Sequence, residues 1–135
     1  MDIDLGASSI FARRFTLYLP GRNFLGENIS NIEEWVKEAA YILTSITGGV
    51  TRLAPAECMW FNKEEGILII EITHILYTYF EPVTFTRDKH LIHEFICRFG
   101  RETSQQSVAM ELDGKMLFVT DFTPPKERSQ FALVR

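Results

Sequence analysis

The hydrophobic positions along this chain change period several times, and each change marks the border of a predicted element. Residues 14–19 alternate between polar and apolar side chains, a pattern typical of a strand with one buried face. Residues 32–46 carry apolar side chains every three or four positions, which predicts a helix with one buried side. Ser30 and Glu33 have the spacing of a capping box, so this helix is predicted to begin at Ser30. The pair Gly48-Gly49 is expected to end it.

The middle of the chain is predicted to form two strands and a second helix. Residues 51–62 predict a strand that Pro55 interrupts, because proline cannot donate a hydrogen bond to a neighbouring strand. Residues 67–80 are rich in β-branched and aromatic side chains and predict one long strand. Thr86 is expected to cap the second helix and Gly100 to end it. The predicted buried stripe of that helix consists of Leu91, Ile92, Phe95, Ile96 and Phe99.

A hairpin is predicted after the second helix. Residues 108–112 and 116–120 have strand-like patterns, and Asp113-Gly114 between them is a strong hairpin signal. The resulting order β-α-β-β-α-β, with one further C-terminal strand, is that of a ferredoxin-like fold. We therefore predict an α+β domain in which an antiparallel sheet carries both helices on one face.

Length and charge bound the number of domains and the classes of partner. A chain of 135 residues is predicted to form one domain, here residues 14–121, between a flexible arm at 1–13 and a C-terminal tail at 122–135. The net charge of −4, without a basic cluster, makes nucleic acid an unexpected partner. The acidic first residues and the lack of a long apolar run favour a cytoplasmic protein that does not bind membranes.

The long strand has two chemically different faces, because successive strand residues point to opposite sides. The more apolar set is expected to lie beneath the helices and consists of Leu68, Ile70, Ile72, His74, Leu76 and Phe80. The other set, which we call the open face, consists of Ile67, Ile69, Glu71, Thr73, Ile75, Tyr77 and Tyr79. Neighbouring strands add Thr16, Tyr18 and Glu111 to the open face. They also add either Glu57 with Met59 and Phe61, or Cys58 with Trp60, since Pro55 leaves the register open.

The open face is too apolar to face water over a large area, and this leads to two functional hypotheses. The leading one is a small binding or accessory module that forms a homodimer and engages a larger protein partner through its sheet face or its tail. The alternative is a cofactor-free enzyme of the isomerase or lyase type, with Glu71 as acid or base and Tyr77 or Arg101 assisting it. A carboxylate in an apolar pocket has a raised pKa, as proton transfer near neutrality requires. The predicted binding residues are Tyr18, Glu57, Trp60, Thr73, Glu102 and Glu111.

A polar run at residues 101–106 connects the second helix to the next strand. Arg101 and Glu102 follow the predicted helix end, where a cation is favourable near the free carbonyl groups. Two interpretations remain open. These side chains either satisfy backbone groups of the connection, or they reach over the sheet edge towards the open face.

Two histidines and a cysteine on the second helix have a spacing that can bind a metal ion, but we do not expect a metal site there. His90, His93 and Cys97 fall within about 60° of one another around the second helix, and a histidine and a cysteine four residues apart can bind one metal ion. No second histidine or cysteine motif lies nearby to complete the ligand set, and a solvated helix face explains the same pattern. The sequence therefore predicts neither a metal nor another cofactor.

Parts of the sequence resemble a group of small, uncharacterised bacterial domains. The resemblance rests on Trp35, on Gly48-Gly49-Val50-Thr51, on Pro55-Ala56-Glu57-Cys58-Met59-Trp60 and on Ile70-Glu71, and it extends over residues 14–119. It implies a ferredoxin-like fold and singles out Glu57, Trp60 and Glu71. Cys58 departs from the glycine that the group favours there. The resemblance names no reaction, because the function of the group is unknown.

Overall fold

The computed structural model describes residues 5–7 and 9–124. Within them, the elements are β1 (Arg13–Pro20), α1 (Ile32–Thr47), β2 (Thr51–Arg52), β3 (Ala56–Asn62), β4 (Ile67–Phe80), α2 (Pro82–Glu102), β5 (Val108–Leu112) and β6 (Lys115–Val119). The strands form one antiparallel sheet in the order β2-β4-β1-β5-β6, with β3 also pairing with β4. The predicted fold class is confirmed: this is an α+β fold whose strand order is compatible with a ferredoxin-like arrangement carrying an extra strand.

Both helices pack on the same face of the sheet. The core side chains are Phe15, Leu17 and Leu19 of β1, Trp35, Val36, Ala39, Leu43 and Ile46 of α1, Leu76 and Phe80 of β4, Ile92, Phe95, Ile96 and Phe99 of α2, and Val108 of β5. Trp35 joins the two helices, because its ring meets Phe95 and Phe99 edge to face at 5.8 and 5.4 Å between centroids. In the described part of the chain, no helix is long and apolar enough to cross a membrane.

The first helix differs from the prediction at its start. It begins after Asn31 and has no side-chain capping bond, so the capping box at Ser30 does not form. The Glu33 carboxylate binds the Arg52 guanidinium instead, at 3.0 and 2.5 Å, and is therefore not free to reach back to the cap. The predicted end is confirmed, since Gly48 closes the helix with φ of 94°.

The second helix is longer than predicted at both ends. It begins at Pro82 rather than after Thr86, because proline suits the first helical turn, where no N–H partner is needed. It continues through Gly100 to Glu102. Gly100 does not end the helix but admits the ring of Phe122, which an added Cβ would overlap. The predicted buried stripe is also wrong at its first member, as Leu91 is exposed.

The strand break and the hairpin agree with the prediction. Residues 53–55 separate β2 from β3, so the strand is interrupted at Pro55. The hairpin turn has φ of 53° at Asp113 and 83° at Gly114, as the common two-residue hairpin turn requires. The Asp113 carboxylate also accepts hydrogen bonds from the Arg14 backbone N–H and the Arg13 side chain.

The first half of β4 differs from the predicted division of its faces. Leu76 and Phe80 lie beneath the helices as expected, but Leu68, Ile70 and Ile72 are exposed on that same side. The open-face side chains of this half are buried instead: Ile69, Glu71 and Thr73. The 14 residues of β4 extend over about 46 Å, whereas the 16 residues of α1 and the 21 residues of α2 extend over about 24 and 32 Å, so the helices leave part of the strand uncovered.

Candidate active site on the open face of the sheet

A cavity of about 390 Å³ opens on the open face, beside the first half of β4. We call it the Glu71 cavity. Its lining residues are Tyr18, Pro20, Cys58, Met59, Trp60, Glu71, Thr73, Gln105, Gln106, Ser107, Ala109, Met116 and Phe118. Its size is within the range of pockets that hold small organic ligands.

The pairing of β3 with β4 places Trp60 in this cavity. Cys58 lies opposite Glu71, and directly opposed residues of an antiparallel pair point to the same side. Of the two registers that the sequence left open, the one with Cys58 and Trp60 on the open face is therefore realised. Glu57 lies opposite Ile72 and points to the other face, away from the Glu71 cavity.

Glu71 is a buried carboxylate with few partners. Its side chain is 7% exposed, and the Trp60 indole N–H donates to its Oε1 at 3.2 Å. Its Oε2 has no hydrogen-bond partner among the described residues. Burial raises the pKa of Glu71 from 4.5 to about 7, while the Trp60 N–H and the backbone N–H and charge of Arg22 act in the opposite direction. This carboxyl group can therefore gain or lose a proton near neutral pH.

Thr73, two residues further along β4, also carries an unused hydrogen-bonding group. Its side chain is 4% exposed, and its Oγ1 has no partner among the described residues. Both Thr73 and Glu71 line the cavity. A ligand that offers a donor to the Glu71 Oε2 and a donor or acceptor to the Thr73 hydroxyl would satisfy both groups, whose burial without partners is otherwise costly.

A second carboxylate stands on the same face. The Tyr18 hydroxyl donates to Glu111 Oε1 at 3.2 Å, and Tyr18 itself lines the cavity. Burial, and next the negative charge of Glu111, raise the pKa of Tyr18. Glu111 lies opposite Thr16, in the same rung of the sheet as Tyr77, and does not line the Glu71 cavity. Glu71 is therefore the acidic residue among the described lining residues of the cavity, and its carboxylate favours a cationic ligand over an anionic one.

The polar run after the second helix contributes its amides to the cavity. Gln105 and Gln106 are lining residues, and the Gln105 side chain donates to the Arg22 carbonyl at 3.0 Å and to Thr103 Oγ1 at 3.1 Å. Sequence reasoning singled out the charged members of this run and missed both glutamines, because surface loops commonly contain such residues.

Besides Glu57 and Glu111, three further predicted site residues lie away from the Glu71 cavity. Tyr77 is six residues from Glu71, roughly 20 Å along the strand, and its ring stacks on the Arg14 guanidinium at 4.1 Å. Arg101 donates to the Phe122 carbonyl at 2.7 Å and does not line the cavity. Glu102 is the exposed last residue of α2. The structure therefore does not bring Tyr77 or Arg101 together with Glu71.

The three residues considered as metal ligands lie in different environments. Cys97 is buried, and its Sγ contacts the Thr123 carbonyl at 3.5 Å. His90 and His93 line a different cavity, on the helix side of the sheet. Across residues 5–7 and 9–124, no group of three histidine, cysteine, aspartate or glutamate side chains is arranged to hold a metal ion.

Two solved structures have a similar fold. One is a phage SAM lyase in complex with S-methyl-5'-thioadenosine, which is 14% identical and aligns over 87% of this chain and 95% of its own, with a TM-score of 0.63. The other is a phage SAM lyase in its apo state, also 14% identical, aligned over 81% of this chain and 89% of its own, with a TM-score of 0.55. No family model and no curated protein matches the sequence, so the resemblance to the bacterial domain group stays a prediction. At this level of identity, the likeness to the two lyase structures shows a shared fold.

Proposed function

We propose that this protein is a cofactor-free lyase acting on an adenosyl sulfonium compound such as S-adenosylmethionine, with the Glu71 cavity as its active site. The observation that carries the proposal is the buried Glu71 carboxylate, whose Oε2 has no partner in the part of the chain that the structure describes and whose pKa is raised to about 7. The likeness of the fold to a SAM lyase that binds S-methyl-5'-thioadenosine supports the choice of substrate class.

The charges of the cavity suit such a substrate. S-adenosylmethionine carries a positive sulfonium and a positive ammonium group, and the cavity offers the carboxylate of Glu71. The half-buried indole of Trp60 lines the cavity and provides a flat π surface for an adenine ring or for the sulfonium. Glu71 Oε2 and the Thr73 hydroxyl are buried without a hydrogen-bond partner among the described residues, and binding of the ammonium group would satisfy both.

The chemistry follows from the charge balance of the substrate. Forming S-methyl-5'-thioadenosine breaks the bond between the sulfur and Cγ of the methionine chain, and the bonding electrons stay on sulfur, which becomes a neutral thioether. A lyase adds no water, so the chain must either close on itself or lose a proton. In the first route the substrate carboxylate attacks Cγ and forms a lactone. In the second, Glu71 takes a Cβ proton and an alkene forms.

The cavity favours ring closure. Ring closure removes two opposite charges of the substrate, the sulfonium and the carboxylate. The site is partly apolar and solvates charges poorly, so the loss of these two charges is favourable there. Ring closure requires that the protein orient the substrate and stabilise its charge. Glu71 does both by binding the ammonium group. A carboxylate with a pKa of about 7 is a weak base for an unactivated C–H bond.

The proposal is tested by incubating the purified protein with S-adenosylmethionine and separating the products by chromatography. We expect S-methyl-5'-thioadenosine and the lactone, and a loss of kcat/KM of about 100-fold or more in Glu71→Gln, the range seen when a buried electrostatic group is removed. Glu57→Gln is the matched control, because Glu57 is exposed on the other face of the neighbouring strand, and its activity should be unchanged. No product from the natural sequence, or equal loss in both variants, would refute the proposal.

A second candidate function rests on the apolar rim of the open face. Met116 and Phe118 of β6 and Ile67 and Tyr79 of β4 belong to this face and are 40–63% exposed. We infer that a second copy of the chain, or a larger protein partner, covers these side chains, as in the binding module considered from the sequence. Such a contact would also close the mouth of the Glu71 cavity, so the two functions are compatible.

A further inference from the structure

A second cavity lies on the other side of the sheet, between α2 and the β5–β6 hairpin. Its volume is about 370 Å³. Its walls are apolar: Phe15 and Ile96 are almost completely buried, and Leu117 is 38% exposed. It shares no lining residue with the Glu71 cavity. The alternation along β5 separates the two, since Met110 and Leu112 line this cavity and Glu111 between them belongs to the open face.

The polar residues of this second cavity are cationic or neutral. Lys89, His90 and His93 line it from α2, together with the hydroxyl-bearing Thr86, and none of the described residues that line it is acidic. Asp88 lies next to Lys89 in sequence, but its carboxylate is paired with Arg87 at 2.8 Å. A cationic lining is an exception in a protein with a net charge of −4, and it contrasts with the acidic Glu71 cavity.

We propose that this second cavity binds a free medium-chain fatty carboxylate. The hydrocarbon chain lies between α2 and the hairpin, where burial of apolar surface drives binding. The carboxylate lies at the mouth, where Lys89 is exposed and provides positive charge and hydrogen-bond donors. An apolar chain with an uncharged head would use the walls but not the Lys89 ammonium group, and a small inorganic anion would use the Lys89 ammonium group but not the walls.

The test is a calorimetric titration of the 135-residue protein with decanoate below its micellar concentration. We expect saturable binding of one decanoate, weakened about 10-fold in Lys89→Gln, as loss of one charge-assisted contact implies. Decanol should bind about 10-fold more weakly than decanoate and should not respond to Lys89→Gln. Lys37→Gln on α1 is the matched control, because Lys37 is exposed and does not line the cavity.

A second variant tests the apolar walls. Leu117→Trp places a larger side chain at the mouth of the cavity and should abolish decanoate binding while leaving the thermal unfolding midpoint unchanged. S-methyl-5'-thioadenosine should not displace decanoate, so the outcome does not depend on the proposed lyase activity. No saturable binding, equal effects of Lys89→Gln and Lys37→Gln, equal affinity for decanol, or binding only to lipid vesicles would each overturn the proposal.

Discussion

At Glu71 the chain buries a carboxylate that receives a single side-chain hydrogen bond from the described residues, donated by the Trp60 indole. A buried group of this kind costs free energy unless its remaining lone pairs are used. A glutamine at the same position would remove the charge at nearly the same volume, so packing alone does not account for the acid. A ligand bound at Oε2, which has no partner within residues 5–7 and 9–124, would account for it.

The stability of the protein should report the raised pKa of Glu71. The folded state binds more protons than the unfolded state between pH 4.5 and about 7, so stability contributed by this group falls as pH rises through that window and is lower above it. In Glu71→Gln this decline is absent. Urea unfolding measures the free energy of unfolding of both proteins at pH 5 and at pH 8. The value for Glu71→Gln minus that for the natural sequence should be higher at pH 8 than at pH 5, by at most about 3 kcal/mol.

The control for this prediction is Glu57→Gln, whose side chain is exposed on the other face. Its difference from the natural sequence should be the same at both pH values. A pH-independent difference for Glu71→Gln as well would mean that Glu71 titrates in the folded protein as it does in the unfolded chain.

Residue placements were predictable where a simple alternation determines them. Glu71 and Thr73 share the open face because they are two apart in a regular strand, and this follows from the sequence alone. Trp60 could not be assigned, since the break at Pro55 leaves the register of the following strand undetermined. Gln105 could not be found either, because its place depends on a loop conformation set by the Arg22 carbonyl, 83 residues away.

At the scale of elements, the ends of the second helix show where local rules fail. Glycine usually ends a helix because it adopts a left-handed conformation, yet Gly100 stays inside α2. The reason is tertiary: the Phe122 ring occupies the space that a Cβ would need. The Arg101 side chain and the Cys97 thiol then bond to the backbone carbonyls of residues 122 and 123. No pattern near Gly100 encodes this contact, which joins positions 22 residues apart.

This contact predicts a change of sign in a double-mutant cycle. Gly100→Ala alone should lower the free energy of unfolding by about 1–2 kcal/mol, since the new methyl group displaces the Phe122 ring. In a Phe122→Ala background the same change should raise it by about 0.5–1 kcal/mol, because alanine is a better helix former than glycine. Chemical denaturation of the four proteins measures both values. Equal effects of Gly100→Ala in the two backgrounds would show that Phe122 does not constrain position 100.

The faces of the long strand illustrate a second limit of sequence patterns. Ile70 and Ile72 are as apolar as Leu76, and alternation puts all three on one side. Only Leu76 meets the helices, because β4 extends beyond the helices that cover it. The lengths of the elements indicate that β4 extends beyond the helices. Which part of the strand stays uncovered depends on the direction in which each helix crosses the sheet, and periodicity does not give that direction. The result is a second exposed apolar surface, on the helix side of the β3–β4 hairpin.

At the scale of the whole molecule, the two sides of the sheet have different chemistry. The open face holds the acidic Glu71 cavity with an apolar rim that includes Phe118. The helix side holds the core, the cavity with Lys89 at its mouth, and the exposed end of the β3–β4 hairpin with Phe61. Either exposed apolar surface is a candidate contact for another chain, and they can be separated because Phe118 and Phe61 lie on opposite faces.

Self-association through the open face should depend on Phe118 and not on Phe61. Both side chains are largely exposed, at 63% and 72%, so a change to aspartate at either position should leave the monomer folded. If two copies meet through the open face, Phe118→Asp introduces a charge that must be buried without a partner, which strongly opposes association. Light scattering at tens of micromolar should then give the monomer mass of 15.6 kDa for Phe118→Asp and a larger mass for the natural sequence and for Phe61→Asp. Dissociation by Phe61→Asp alone would place the contact on the helix side and leave the Glu71 cavity open to solvent, whereas dissociation by Phe118→Asp alone would couple access to that cavity to the assembly of the protein.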